Sequence, residues 1–211
     1  MSHDPEPIDR DLLRAVAGFS TATLHEAAGQ RGALPAAIKP LVPGRGLCGE
    51  AFTVASAPVD NLWIHRGLAA APAGAILVVT VDGAYEAGYW GDIMTTAALA
   101  RGLDGLVIDG CVRDRRELEA SGFPIFARGL CIRGTGKAAG TAGRLGATLR
   151  IGDADVRVGD VVIGDDDGVV VLPRADLPRI VHAARARVER EADVVRRLER
   201  GQTTLEIYGW E

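Results

Sequence analysis

Two apolar runs, Ala75 to Val81 and Leu106 to Gly110, are each followed by a glycine-bearing break and then by a helical pattern. This repetition constrains the fold more than any other feature of the sequence. Runs of that length bounded by turn signals read as buried strands. Strand and helix units in succession imply crossovers in a partly parallel sheet. In the second unit Leu106-Val107-Ile108 stops at Asp109-Gly110, and a charged helix is expected from about Val112 or Arg113 until Gly122-Phe123-Pro124 ends it. Ile125 to Ala127 then returns as a strand. In the first unit Val81-Asp82-Gly83 closes the strand, and Gly88 to Asp92 leads into a helix through Ala100 with Asp92 placed as its N-cap. Open α/β sheets keep ligands at the carboxyl ends of their strands. The two junctions are therefore expected to face one cleft.

The residues at those junctions carry chemistry. Arg113 is a forked clamp for an anion, and Asp114 beside it is an oxygen ligand or a base. The first-turn N–H groups at Ile93 and Met94 form a natural cradle for a carboxylate. A purely structural role stays open for each: Asp114 as decoration of a helix N-terminus, Arg113 as partner of a local carboxylate, Asp92 as a cap. Charge supports the ligand reading. The formal net charge is -4, aromatics are 5% of residues, and no basic stripe is interleaved with them, so a nucleic-acid partner has little support. A small anionic ligand held by locally concentrated positive charge fits better.

The rest of the chain frames this centre. With 211 residues, 47% hydrophobic and 25% charged, one well-filled domain is expected. Residues 1–7 read as a frayed leader and Ile8 to Ala17 as an amphipathic helix; Ser20 or Thr21 caps a second helix to about Ala28. His25 on that helix suits packing or indirect support better than direct ligation. Cys48 to Ala55 reads as a strand in which Glu50 needs a partner or solvent, and Asp60 or Asn61 caps a helix to about Ala70. Residues 129–147 are glycine-rich without the spacing of a phosphate loop, and a mobile solvent loop is expected there, although Lys137 could assist an anionic site. Short β-like runs follow from Thr148 to Leu172. The Asp165-Asp166-Asp167-Gly168 turn lacks the ligand pattern of a calcium loop and reads as a solvated hairpin. From Pro173 or Arg174 a helix runs to about Arg200, with Leu177, Val181, Ala184, Val188, Ala192 and Val195 on one stripe. So long a stripe suggests packing across a subunit boundary. Cys48, Cys111 and Cys131 form no metal-like cluster, and no apolar run spans a membrane, which points to a cytoplasmic protein.

The segment AGYWGDIMTTAALARGLDGLVIDGCVRD, with DNLWIHRGLAAAPAGAILVV at 60–79 and RVGDVVIGDDDGVVVLP at 157–173, resembles the class II, metal-dependent pyruvate aldolases. Those enzymes cleave 4-hydroxy-4-methyl-2-oxoglutarate or 4-carboxy-4-hydroxy-2-oxoadipate and share a fold with the regulator of ribonuclease E activity. The resemblance extends over most of residues 20–172. It implies an α/β fold, an α/β/β/α sandwich of the swivelling β/β/α type, with residues 1–173 as the core and 174–211 as a C-terminal helix and tail across a subunit interface. It further implies that Arg113 binds the carboxylate and keto end of the substrate and Asp114 ligates a divalent cation, Mg²⁺ or Mn²⁺. Asp92 would help hold water on the cation, the Gly91-Asp92-Ile93-Met94 turn would receive the substrate carboxylate, and Glu189 or Glu191 would reach a neighbouring subunit's site. The partners implied are a small 2-oxo acid and further copies of the chain, as a trimer or hexamer. No lysine stands at either junction to form a Schiff base, which favours a metal electron sink. Oxaloacetate decarboxylation would be a secondary or even the main activity, and a non-catalytic, ribonuclease-regulator-like protein-binding role is the alternative.

Overall fold

The computed structural model describes residues 8–210, and the leader expected at 1–7 lies outside them. The elements in chain order are α1 (Arg10–Ala17), α2 (Thr21–Ala27), β1 (Lys39–Pro40), β2 (Leu47–Ala55), α3 (Leu62–Ala70), β3 (Ala75–Thr80), β4 (Gly88–Trp90), α4 (Asp92–Ala100), β5 (Gly105–Val112) and α5 (Arg115–Ser121). They continue with β6 (Ile125–Leu130), β7 (Arg144–Leu145), β8 (Leu149–Ile151), β9 (Ala154–Val156), β10 (Val161–Asp165), β11 (Gly168–Leu172), α6 (Leu177–Glu199) and α7 (Thr204–Tyr208). A short 3-10 turn, Arg174–Asp176, precedes α6.

The main sheet runs in the order β1-β6-β5-β3-β2-β10-β11, with β4 added to β5 and β7 to β2. Its centre, β2, β3, β5 and β6, is parallel, as the repeated strand and helix units require. The outer pairs β1 with β6, β2 with β10, and β10 with β11 are antiparallel. The two ends approach each other, since Leu34 N donates to Val169 O at 2.9 Å and Ala33 bridges Val170. The sheet is thereby curled into a nearly closed barrel.

Side-chain alternation sorts the apolar residues into three layers. On β3, Leu77 and Val79 join the helices α3, α4 and α5, while Ile76 and Val78 point into the barrel with Val107, Phe126, Val162 and Val171. On the opposite wall Val161, Ile163, Val170 and Leu172 pack against α1, α2 and the first half of α6 through Leu177, Ile180, Val181 and Ala184. Strands buried on both faces are near-continuous in apolar residues for this reason. Each fully buried Leu, Ile or Val contributes about 1.5–3 kcal/mol.

Two expectations are corrected here. Strand β5 does not break at Asp109-Gly110; it continues to Val112, because β4 and the end of β6 both hydrogen-bond to its last residues. Gly110 is there for packing, since a Cβ would stand 3.1 Å from Val81 Cγ2 and 3.3 Å from the Tyr89 ring. The Asp165–Asp167 turn is not merely solvated. The Asp165 carboxylate accepts from Thr21 N at 2.8 Å, Thr21 Oγ1 at 2.6 Å and Asp167 N at 3.0 Å, and Asp166 Oδ1 accepts from Gly44 N at 2.7 Å. Partial burial works to raise the Asp165 pKa, but these donors win and hold it below the ordinary value. The turn thus clamps the start of α2 onto the β10–β11 hairpin. Glu50 finds its partner in Arg174, at 3.2 Å.

Candidate active site

The extension of β5 decides where Arg113 and Asp114 sit. Arg113 N donates to Trp90 O at 2.9 Å, continuing the β4–β5 contact one residue beyond the strand. Asp114 then turns into the left-handed region, φ 63°, and begins α5 without using its side chain as a cap. Non-glycine residues in that region carry a strain of roughly 1–3 kcal/mol and collect at functional sites. The Asp114 carboxylate reaches instead across to the neighbouring unit: Oδ2 accepts from Asp92 N at 3.1 Å and lies 3.7 Å from Arg113 Nε. The ion pair is weak in itself, because both side chains are roughly two-fifths exposed. Its value is positional.

Two bare glycines make room for this pair. A Cβ on Gly91 would lie 2.2 Å from Asp114 Oδ2, and one on Gly88 would meet Cys131 O at 2.5 Å and then Arg113 Cβ and Cδ at 3.1 Å. Gly91, with φ -153°, also occupies the N-cap of α4, so Asp92 is the first helical residue and the expectation that it caps the helix is corrected. A side chain at position 91 would collide with the Asp114 carboxylate, which is why the cap carries none. Gly91→Ala has no backbone strain to relieve, so its effect should fall on the carboxylate. The Asp114 carboxylate should be pushed off Asp92 N while the fold is kept, so a crystal structure of the variant should show the carboxylate displaced and a thermal melt should show the melting temperature unchanged.

The two junctions do share a cleft, of about 100 Å³, lined by Asn61, His65, Gly88, Tyr89, Gly91, Ile93, Met94, Arg113, Asp114 and Lys137. Ile93 and Met94 are in the first turn of α4, where backbone N–H groups have no acceptor within the helix. Asp92 is not among the lining residues and meets the site only through its backbone N–H, which donates to Asp114 Oδ2. Glu189 and Glu191 do not line the cleft of their own chain. Both are exposed on α6, where Glu191 pairs with Arg187 at 2.7 Å. His25 is also elsewhere, in a separate cavity.

Two cleft residues were missed by sequence reasoning, Asn61 and His65, while Lys137 was named only as an aid to an anionic site on a loop expected to be mobile. The signal was Asp60. This buried carboxylate accepts from Ala138 N at 2.7 Å, Leu62 N at 2.9 Å and Thr141 Oγ1 at 3.3 Å. Asn61 N donates to Gly136 O, Gly136 N to Val59 O, and Trp63 Nε1 to Thr141 O. The glycine-rich loop expected to be solvated is therefore anchored across α3, and it delivers Lys137 to the cleft. Burial works to raise the Asp60 pKa, but the three hydrogen bonds and the Lys137 charge outweigh it and hold the group below its ordinary 3.8. Its contribution to stability is present above 3.8 and is lost as pH falls through the lower folded value. Asp60→Ala should cost about 3 kcal/mol at neutral pH by orphaning these donors, with the deficit shrinking in acid. Urea melts at pH 7 and pH 3 test this.

The electrostatics of the cleft favour an anion. Burial, then the Lys137 charge, lowers the His65 pKa, so His65 is neutral at pH 7 while Arg113 and Lys137 carry the positive charge. Asn61 Nδ2 is committed to Tyr89 O at 2.9 Å, leaving its buried Oδ1 without a partner. Tyr89 OH donates to Ala84 O and accepts from Val59 N, so it ties the 84–90 loop to the cleft floor. Among the described residues no group of three or more His, Cys, Asp or Glu side chains is gathered for a metal. Asp114 has one carboxylate oxygen outside the bonds named above, a donor set that suits a hard divalent ion retaining most of its water.

Comparison with known proteins bears on this arrangement. A family model described as RraA-like, aldolase/RraA, matches residues 21–171. A protein of Halalkalibacterium halodurans provisionally named 4-hydroxy-4-methyl-2-oxoglutarate aldolase is 33% identical over 152 residues, covering 72% of this chain and 71% of that one. A crystal structure of an uncharacterized protein from Pseudomonas syringae pv. tomato superposes with a TM-score of 0.79 at 32% identity, covering 94% of this chain and 97% of that one. RraAS2 of Streptomyces coelicolor, described as an unusual member of the RNase ES inhibitor RraA family, superposes with a TM-score of 0.77 at 27% identity over 90% and 100% of the two chains.

Proposed function

The chain belongs to the RraA-like, aldolase/RraA family, and we propose that it is a divalent-cation-dependent lyase. Its reaction would be the retro-aldol cleavage of 4-hydroxy-4-methyl-2-oxoglutarate or a related 4-hydroxy-2-oxo acid to pyruvate. The observation that carries this reading is the convergence of Arg113, Asp114, the first turn of α4 and Lys137 on one small cleft. Asp114 is the residue that would hold the cation, Mg²⁺ or Mn²⁺. When bound, such an ion supplies a Lewis-acid sink for charge developing on the substrate keto oxygen.

The protein's own groups would do the following. The substrate carboxylate rests on the unpaired N–H groups of Ile93 and Met94, and the Arg113 guanidinium faces the keto oxygen. The 4-hydroxyl gives its proton to a carboxylate, the C3–C4 bond breaks, and its electron pair moves toward the keto group as the leaving fragment departs with a new carbonyl. Arg113 stabilises the resulting enolate oxygen, and protonation at C3 yields pyruvate. Lys137 adds a second positive charge that retains the anionic substrate. Loss of carbon dioxide from oxaloacetate passes through the same enolate and is expected as a side activity.

The base is Asp92 together with Glu189 or Glu191 of a second copy. That assignment is supported by the exposed apolar face of the C-terminal segment, where Val188, Val195, Leu198, Leu205, Tyr208 and Trp210 are uncovered. A trimer or hexamer would bury it. Pyruvate release measured with 4-hydroxy-4-methyl-2-oxoglutarate and with oxaloacetate, after chelation and after adding back Mg²⁺ or Mn²⁺, tests the proposal. Release should vanish on chelation and return with the ion. Release that survives chelation would move the chemistry to a Lys137 Schiff base, and no release under any condition would move it to a protein-binding role.

A further inference from the structure

A second cavity of about 620 Å³ lies away from the cleft, between the segment following α2, the β8–β9 hairpin and the start of α6. Four arginines, Arg31, Arg150, Arg157 and Arg179, line it with three aspartates. The aspartates are already engaged. Asp155 accepts from Arg150 Nη1 at 3.0 Å, Asp153 lies 3.7 Å from Arg150 Nη2, and Asp176 lies 3.8 Å from Arg179 Nη2. Arg31 and Arg157, from two different segments, make no ion pair among the described residues. A chain of net charge -4 has thus left a surplus of guanidinium in one concavity.

The walls are set by backbone contacts. A Cβ on Gly32 would lie 2.1 Å from Val171 O, so only glycine lets the Arg31 segment lie flat on β11. At the hairpin tip, Gly152 (φ 58°) approaches Pro35 so closely that a Cβ would stand 2.9 Å from its Cγ. The spacing between the two segments is therefore fixed by the fold and not by the arginines themselves.

We propose that this cavity binds a phosphate-bearing small molecule of the size of pyrophosphate or a nucleoside diphosphate, held by Arg31 and Arg157. Planar guanidinium forks match phosphate oxygens two at a time, and arginine outperforms lysine where that geometry is used. The volume falls in the roughly 300–1,000 Å³ usual for small-molecule sites. His25 on the α2 wall supplies a further ring nitrogen for hydrogen bonding. The site is separate from the Arg113 cleft and stands whether or not the lyase reading does.

Titration calorimetry of the full chain with pyrophosphate, and in parallel with ADP, tests it. Saturable binding of one molecule per chain is expected, weakened by roughly tenfold or more in Arg31→Ala/Arg157→Ala. Arg31→Lys/Arg157→Lys should restore it only in part, and Arg113→Ala should leave it unchanged. Tighter ADP than pyrophosphate binding assigns the site to a nucleotide; equal affinities assign it to the phosphates alone. Absence of pyrophosphate binding to the unaltered chain, binding indifferent to the double alanine substitution, or binding lost with Arg113 would each overturn the proposal. Circular dichroism of the variants guards against misfolding as the cause.

Discussion

Asp114→Asn should abolish cation-dependent pyruvate release while the chain stays folded. The position needs a residue that tolerates the left-handed region, and Asn does so at least as well as Asp. Its side-chain oxygen can still accept from Asp92 N, so the contact between the two strand and helix units survives. What disappears is the negative charge, the one feature a divalent ion needs from this side chain. Losing several kcal/mol of charge stabilisation corresponds to a fall of roughly 10³-fold or more in kcat/KM. Asp114→Ala is a poorer test, because it adds strain at φ 63° to the loss of charge. Steady-state assay with thermal melts of both variants separates the two effects: Asn should lose activity with little change in melting temperature.

Arg113→Ala should lower pyruvate release by roughly 10²–10³-fold, the usual cost of removing one donor aimed at a developing oxyanion. Its side chain is not part of the hydrophobic core and its pairing with Asp114 is weak, so stability should change little. The ion should still bind with near-normal affinity, since Arg113 contributes no ligand. The split matters. Asp114 variants should lose the ion and the activity together, whereas the Arg113 variant should keep the first and lose the second. Arg113→Lys should recover only part of the rate, because an ammonium cannot present two parallel donors.

How far these residues could be found from sequence depended on how local their determinants were. The apolar runs of β3, β10 and β11 are written in consecutive residues, and they led directly to strands within a residue or two of those observed. Long-range pairing was less visible. Gly110 reads as a break in isolation, but β4 arrives from another part of the chain to carry β5 on to Val112, and that moves the start of α5 to Arg115. The adjacency of Arg113 and Asp114 survived the shift, though for a different reason from the one expected: a left-handed turn at the end of a strand, not the first turn of a helix. Asp92 failed as an N-cap because the side chain of Asp114 needs the space at Gly91, a contact 22 residues away. The placement of Lys137 was hidden for the same kind of reason: nothing in its glycine-rich neighbourhood has a period, and the buried Asp60, 78 residues before Ala138, helps to pin that loop in place together with bonds from Val59, Asn61 and Trp63. Asp165 likewise reveals its role only when Thr21 is brought to it.

Binding of Mn²⁺ followed by the electron paramagnetic resonance signal of the free ion, with and without pyruvate, tests the shared use of Arg113 and Asp114 most directly. One ion per chain should bind to the unaltered protein and bind more tightly when pyruvate is present. Asp114→Asn should remove the binding, and Arg113→Ala should remove only the effect of pyruvate. Mn²⁺ affinity that is untouched by Asp114→Asn, or indifferent to pyruvate in the unaltered protein, would contradict the account.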